Sequence, residues 1–240
     1  MQGESVGESA KARNVTRRAR TDEAREDRRA AILAAAAAAL AEEGFEAVSM
    51  NGLAERAGLA KGTLYLYFRT REEVFLALFL ERLAGFAGRV ESGCRPGQGD
   101  EEAVASLVAA AEADPILLAL MARLGAVIEQ NLPAEVLFAA KRETMARFRA
   151  FSARLAAACG LGEEAESAFG LSAMVALQGA AGASAVAPPG GVELPADIAE
   201  IFAMSQFRPL ATVALATALA GARAIDARSP ARERGRTSGA

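Results

Sequence analysis

Gly58 divides the stretch from Ser49 to Phe68 into two short segments, each with its apolar residues on one face, and few folds accommodate that pattern. Ser49 is a side-chain acceptor placed to cap the first segment. Leu53, Ala54 and Ala57 recur at helical spacing behind it. Gly58 then ends the helix, because only glycine takes the left-handed conformation there without steric penalty. Leu59 is the apolar residue that plugs the corner. The second helix is predicted from Lys61 to Phe68, with Leu64 and Phe68 four apart and facing inward. Lys61, Thr63, Tyr65 and Tyr67 are left on other faces. A cation, hydroxyls and aromatic rings suit a phosphate backbone and base edges. The pattern is a helix-turn-helix signature whose second helix reads the major groove. A plain helical hairpin that binds nothing is the bland alternative, but these outward residues are the wrong type for an idle surface.

The flanks fit the same reading. Thr21-Asp22-Glu23 supplies a cap and acids for a first helix, Ile32, Ala36 and Leu40 give its inner face, and Gly44 ends it. That helix would support the pair and place Arg28 and Arg29 near a phosphate. Residues 1–21 are polar without periodicity and are predicted disordered. Within them Lys11 to Arg20 holds five cations and no acid, which fits either a solvated tail or an arm along DNA. Thr70-Arg71-Glu72-Glu73 forms a capping box that opens a long helix carrying Val74, Leu78, Phe79, Leu83 and Phe86 and fading near Arg89.

At this point the chain resembles the tetracycline-repressor-like (TetR/AcrR) family of bacterial regulators. The matching pieces are the helix before Gly44-Phe45, Leu53-Ala54, Ala57-Gly58, Lys61-Gly62-Thr63-Leu64-Tyr65, Tyr67-Phe68 and Glu72-Glu73, over roughly residues 28–80. Two positions depart. Ala60 stands where the family often has a capping Ser, and Gly52 sits inside the first helix of the pair, at roughly 1 kcal/mol relative to Ala. The resemblance implies a fourth helix joining the DNA-binding domain to the rest, its tilt setting the separation of two reading heads.

Composition bounds the remainder. Of 240 residues 52% are apolar, mostly Ala, so an all-α fold of closely packed helices is expected. Net charge is −3, so any DNA footprint must be local. Cys94 and Cys159 make no disulfide framework and fit a reducing cytoplasm; a redox pair and two inert thiols both remain open. Charged residues through the first thirty positions exclude a signal peptide. Ser167 to Val192 carries no charge, but Ala, Gly and Ser make it a buried helix rather than a membrane span. Ala30 to Leu40 is too short to span a bilayer.

Further helices are predicted from Asp100 to Ala113, from Asp114-Pro115 onward with Ile116, Leu117, Leu120, Leu124, Val127 and Ile128 inward, from Leu132-Pro133 to Cys159, from Glu163 to Val186, from Pro195 to Phe207, and from Pro209 to Arg223. Gly93 to Gly99 and Pro188 to Gly191 read as loops. The domain organisation is then a basic arm at 1–21, a helix-turn-helix domain at 22–71, a helical effector-binding and dimerisation domain at 72–225, and a disordered tail at 226–240.

The chain has no His, which removes Ser-His-Asp and Cys-His nucleophiles and most zinc sites. No phosphate-cradling glycine loop is present, so no enzyme activity, metal or cofactor is expected. The resemblance implies a four-helix dimer interface from the last two helices of each subunit, with Phe169, Met174, Leu177, Leu210, Val213 and Leu219 as its larger side chains. It also implies a small effector among the middle helices, with Met121, Phe138, Met145, Phe148 and Phe151 as an apolar lining and Arg123, Glu129, Gln130 and Asn131 as polar anchors. Such an effector would be hydrophobic, an acyl chain or a lipophilic drug.

The reading that results is a homodimeric regulator, a repressor, gripping a palindromic double-stranded DNA operator with two helices about 34–36 Å apart. Thr63 and Tyr65 are assigned to bases; Lys61, Tyr67, Ser49 and Arg28 are assigned to phosphates. The rival is a regulator without a small-molecule effector, controlled by abundance or by a protein partner.

Overall fold

The computed structural model describes residues 4–188 and 192–228, with side chains from residue 22 onward. Every element among the described residues is helical. The chain separates into two compact units, Met1–Leu78 and Phe79–Ala240.

The first unit holds α1 (Glu4–Glu43), α2 (Met50–Arg56), α3 (Lys61–Tyr65) and the first turns of α4 (Arg71–Gly93). Helix α1 starts at Glu4, so the disordered segment and the Thr21 helix start expected from sequence are replaced by one continuous helix. Residues 4–20 contain no proline and hold four Arg and three Ala, so no helix breaker interrupts them despite Gly7 and Asn14. The side chains of Lys11 to Arg20, the basic arm, lie outside the described residues. Gly44 closes α1 with φ 78. Ile32, Leu33, Leu53, Leu64, Val74 and Phe75 are fully buried, and Phe45 stacks on Phe75 at 4.7 Å between ring centroids. That aromatic pair ties the start of α4 to the loop after Gly44 within the first unit.

The Thr70 cap forms, with its Oγ1 accepting from the Glu73 N–H at 3.2 Å. Glu73 reaches one residue further back than expected and accepts from the Arg69 N–H at 2.8 Å. Helix α3 ends at Tyr65 rather than Phe68: the Tyr67 N–H turns to the Leu64 carbonyl at 3.0 Å, three residues back. Leu64 and Phe68 remain buried all the same.

The second unit continues α4 and adds α5 (Asp100–Glu112), α6 (Pro115–Arg123), α7 (Ala134–Cys159), α8 (Glu163–Ser184), α9 (Ala196–Met204) and α10 (Phe207–Arg228). Asp114 caps α6 as its position before Pro115 predicts, its Oδ1 accepting from the Leu117 N–H at 3.1 Å. Asp100 does not cap α5; Gly99 takes that place and the Asp100 carboxylate is turned to Arg223. The helix expected beyond Arg123 loosens into a π turn over Leu124–Ile128 and a 3₁₀ turn over Glu129–Asn131. It stops at Leu132, which takes extended backbone because Pro133 follows. Gly160 ends α7 in the left-handed region, φ 62, as expected. Helix α8 packs against α6, α7 and α10.

Helix α10 starts at Phe207, with Pro209 inside its first turn, and runs past the expected Arg223. Among the described residues α10 is, by length and composition alone, long and apolar enough to cross a membrane, as is the stretch from Asp100 to Asn131 if its 88° bend is taken within one span. Phe207, Ala211, Leu215, Leu219 and Ala222 of α10 form a buried face, but only 22% of its most apolar window is buried. Residues 189–191 of the predicted loop and 229–240 of the predicted tail lie outside the described residues.

Candidate nucleic-acid interface

Ser49 opens the site. Its backbone is extended, and its Oγ accepts from the Gly52 N–H at 3.2 Å, capping α2. Gly58, φ 65, then reverses the chain, and the Leu59 N–H closes the turn on the Ala54 carbonyl at 2.9 Å. Arg56 ties α2 to the end of α1 through Glu42, at 2.9 Å, and Glu43. Those hydrogen bonds, Glu42's foremost, hold the Arg56 pKa above its ordinary value. Arg71 fixes the other side of the loop, donating to the Val48 carbonyl at 3.1 Å and to those of Phe45 and Glu46 at 3.4 Å while lying 5.3 Å over the Phe45 ring. From sequence Arg71 has only a place in a capping box, because nothing local signals a contact with a loop so far upstream.

Buried Leu64 on α3 and buried Phe68 just beyond it fix the inward row. Ala60 stands at the cap position without a side-chain bond. Lys61 and Tyr65, four apart, are exposed, with the ammonium 5.9 Å from the ring centroid. Thr63 and Tyr67 form a half-buried flank. Arg29 lies 5.8 Å over the Phe68 ring, and it lines a shallow polar depression with Asp22, Arg25, Glu26 and Tyr67. Arg28 is exposed on α1.

The structure thus brings Lys61, Thr63, Tyr65 and Tyr67 together on α3 and the turn that follows it, with Ser49 at the start of the neighbouring helix. Leu66, 79% exposed in the same turn, escaped the sequence reading, although its two-residue offset from both Leu64 and Phe68 points it outward. A turn that presents a cation, two phenols and a hydroxyl on a buried apolar anchor can contact phosphates and base edges together.

A cavity of about 160 Å³ lies in the second unit. Phe79, Leu83 and Phe86 of α4, Met121 of α6, Phe148 and Phe151 of α7 and Leu177 of α8 form apolar walls. Glu129, Lys141, Thr144, Arg147 and Gln178 add polar groups, with Lys141 Nζ 2.6 Å from Glu129 Oε1. Of the expected ligand contacts, Met121, Glu129, Phe148 and Phe151 line it; Arg123, Gln130, Asn131, Phe138 and Met145 do not. Lys141, Thr144, Phe148 and Phe151 share the inner strip of α7, which leaves Phe138 and Met145 on the adjacent strip, 56% and 47% exposed.

The expected dimer residues divide likewise. Phe169, Leu177 and Leu219 are buried inside the unit, Met174 and Leu177 line the cavity, Leu210 is half-buried, and Val213 is exposed. Phe169 and Leu177 are therefore core residues: α8 turns their strip toward its neighbours, and the strip offset by two, with Leu171 and Val175, faces out. Cys94 and Cys159 are both buried free thiols. Burial pushes the Cys94 thiol up, and burial with the Asp100 carboxylate pushes Cys159 up to about 11. Thiols held protonated are poor nucleophiles, which favours the inert reading. No cluster of His, Cys, Asp and Glu among the described residues could hold a metal ion.

Family models extend these observations. Residues 32–78 match the model of bacterial regulatory proteins of the tetR family, and residues 77–225 match that of the tetracyclin repressor-like C-terminal domain. The fatty acid metabolism regulator protein of Bacillus subtilis is 32% identical over 77 residues, covering 32% of this chain and 40% of that protein. The HTH-type transcriptional repressor KstR of Rhodococcus jostii is 34% identical over 116 residues, covering 47% of this chain and 54% of that protein. The chain thus spans about half or less of the length of these curated relatives. Among solved structures, the fatty acid degradation regulator FadR of Bacillus halodurans superposes with TM-score 0.54 at 18% identity over 81% of this chain and 95% of its own. A TetR transcriptional regulator from Rhodococcus sp. RHA1 gives 0.52 at 19% identity over 80% and 97%. Such identities establish the fold alone. With the helix-turn-helix unit and most of the helical unit beyond it both matched, this chain belongs to the TetR family of bacterial regulatory proteins, which are transcription regulators and not enzymes.

Proposed function

We propose that the chain is a cytoplasmic, homodimeric, sequence-specific DNA-binding repressor, released from its operator by a small hydrophobic effector. One observation carries the DNA-binding part: Leu64 and Phe68 are buried while Lys61, Tyr65 and Leu66 of the same turn are exposed. In this reading residues 22–71 bind DNA and 72–225 bind effector and partner. Thr63 and Tyr65 contact bases; Lys61, Tyr67, Ser49 and Arg28 contact phosphates. The name of KstR as a repressor supports the sign of regulation. Recovering bound sequences from random duplex DNA, with affinity measured against salt, tests it. A palindromic consensus and a steep salt dependence are expected; sequence-blind binding would refute it.

The effector part rests on the Phe-lined cavity and on relatives named for fatty acid metabolism and degradation. Phe79, Leu83 and Phe86 of α4 contribute to its wall, while Val74 and Phe75 of the same helix belong to the core of the reading unit. An effector need only shift that helix by a coupling of about 1–3 kcal/mol. A thermal-shift series of fatty acids, followed by operator release, checks this. The volume of about 160 Å³, below the roughly 300–1,000 Å³ of drug-sized sites, favours the second reading, in which abundance or a protein partner controls the regulator. Release of operator by an acyl compound would eliminate that alternative.

A further inference from the structure

Among the described residues no large apolar side chain is more exposed than Leu66. Its backbone, φ −73 and ψ −21, continues the track of α3. Each helical residue turns the chain by about 100°, so Leu66 lies nearly opposite both Leu64 and Phe68, its buried neighbours two positions away. Gly62, four residues earlier, shares its row, and a Cβ built there would meet nothing within 4 Å. The outermost row of the reading helix is therefore bare backbone followed by an isobutyl group, flanked by Lys61 and Tyr65.

We propose that Leu66 is a specificity-determining residue that reads the C5-methyl group of a thymine, and that Gly62 lets the helix backbone approach the base edges. The proposal rests on the DNA-binding reading and adds to it a residue and a base. In the major groove guanine, adenine and cytosine present donors and acceptors; thymine alone adds an apolar group. An isobutyl side chain can neither donate nor accept, so the thymine methyl is its one matching partner on a base edge. Lys61 and Tyr67 supply the contacts to phosphate that hold the helix in the groove.

The test uses the full chain and the duplex recovered by selection. Each thymine of a half-site is replaced in turn by deoxyuridine, which lacks only the methyl. Wild type is expected to lose about fourfold in affinity at one thymine, the loss that corresponds to one buried methyl. Leu66→Ala should bind the thymine duplex about fourfold more weakly and be indifferent to uracil at that one position. Gly62→Ala should keep or raise Tm and still bind more weakly. Uracil sensitivity in Leu66→Ala equal to wild type at every position, or in no position of wild type, overturns the assignment. Wild-type affinity in Gly62→Ala overturns the close approach. Selection that returns no consensus removes the DNA-reading proposal itself, whereas a clear consensus without methyl dependence removes Leu66 alone.

Discussion

Arg223 of α10 donates from Nε to Asp100 Oδ2 at 3.0 Å, from Nη2 to the other carboxylate oxygen, and from Nη2 to the Cys159 carbonyl at 2.7 Å. One guanidinium so joins the start of α5, the end of α7 and α10, satisfying a carbonyl that the last turn of α7 leaves open. A turn later the Asp226 carboxylate accepts from the Gly162 N–H at 3.1 Å, before α8. The hydrogen bond from Arg223 holds the Asp100 carboxyl below its ordinary pKa. A depressed folded-state value means stability present above the unfolded pKa and lost as pH falls through the folded one. Asp100→Asn should therefore lower stability at pH 7 by about 0.5–1 kcal/mol, modest because both side chains are partly solvated. That difference from wild type should shrink as pH is lowered from 7 into the acid range, through the depressed Asp100 pKa. Urea midpoints at neutral and acid pH measure it; an unchanged gap in acid would contradict the assignment.

Gly170 of α8 sits so close to Ser152 of α7 that a Cβ there would lie 2.8 Å from the Ser152 Cβ, nearer still to its Oγ, and 3.1 Å from Phe148 Cζ. Gly170→Ala should destabilise by about 1–3 kcal/mol through overpacking, despite the better helix propensity of Ala. Ser152 is buried and its Oγ has no hydrogen-bond partner. Ser152→Ala should thus be neutral or stabilising, and Ser152→Gly should recover most of the Gly170→Ala loss. Thermal melts of the three variants and the double decide it.

Arg71 is expected to act through the loop it holds. Arg71→Ala removes three carbonyl contacts and the Phe45 stacking, a loss of about 1–2 kcal/mol. Lys should rescue little, because an ammonium cannot fork across neighbouring carbonyls. The readouts are a lower Tm and a uniform loss of affinity across duplex sequences.

Local chemistry made much of this architecture legible in the chain. Ser49, Gly58, Asp114-Pro115 and Gly160 act within a turn of themselves, so their caps and reversals are visible in sequence and occur as read. What was not visible is decided by which strip of a helix meets a neighbour. Phe169 and Val213 both lie in uncharged stretches of their helices, yet one is 1% and the other 68% exposed. Met145 and Phe148 likewise differ only by a rotation of α7. Asp100 shows the same limit in a polar group: a local cap was available, and a guanidinium far along the chain took the carboxylate instead.

Lys61 and Thr63 separate affinity from specificity. Lys61 is exposed beside Tyr65 and carries the charge of the turn, so Lys61→Ala should weaken binding to all duplexes and reduce the salt slope by about 1. Thr63 is half-buried on the flank, so Thr63→Ala should relax base preference with the salt slope intact. Binding isotherms across a salt series on selected and scrambled duplexes distinguish the two.

The outward strips of α8 and α10 supply the last test. Leu171, Val175 and Val213 are 56%, 61% and 68% exposed, and no charge interrupts Ser167 to Ser184 or Pro209 to Ala222. A surface of this kind suits a close helix–helix contact with a second copy. Val213→Glu alters no buried side chain, so the monomer fold should survive, while two like charges would face each other near the axis of a symmetric pair. Sedimentation should show monomer, and operator affinity should fall at least tenfold once two linked half-sites become independent. Phe169→Glu should instead unfold the unit, because it places a carboxylate among buried apolar groups. A Val213→Glu protein that stays dimeric would move the interface elsewhere on the helical unit and leave the reading turn untouched.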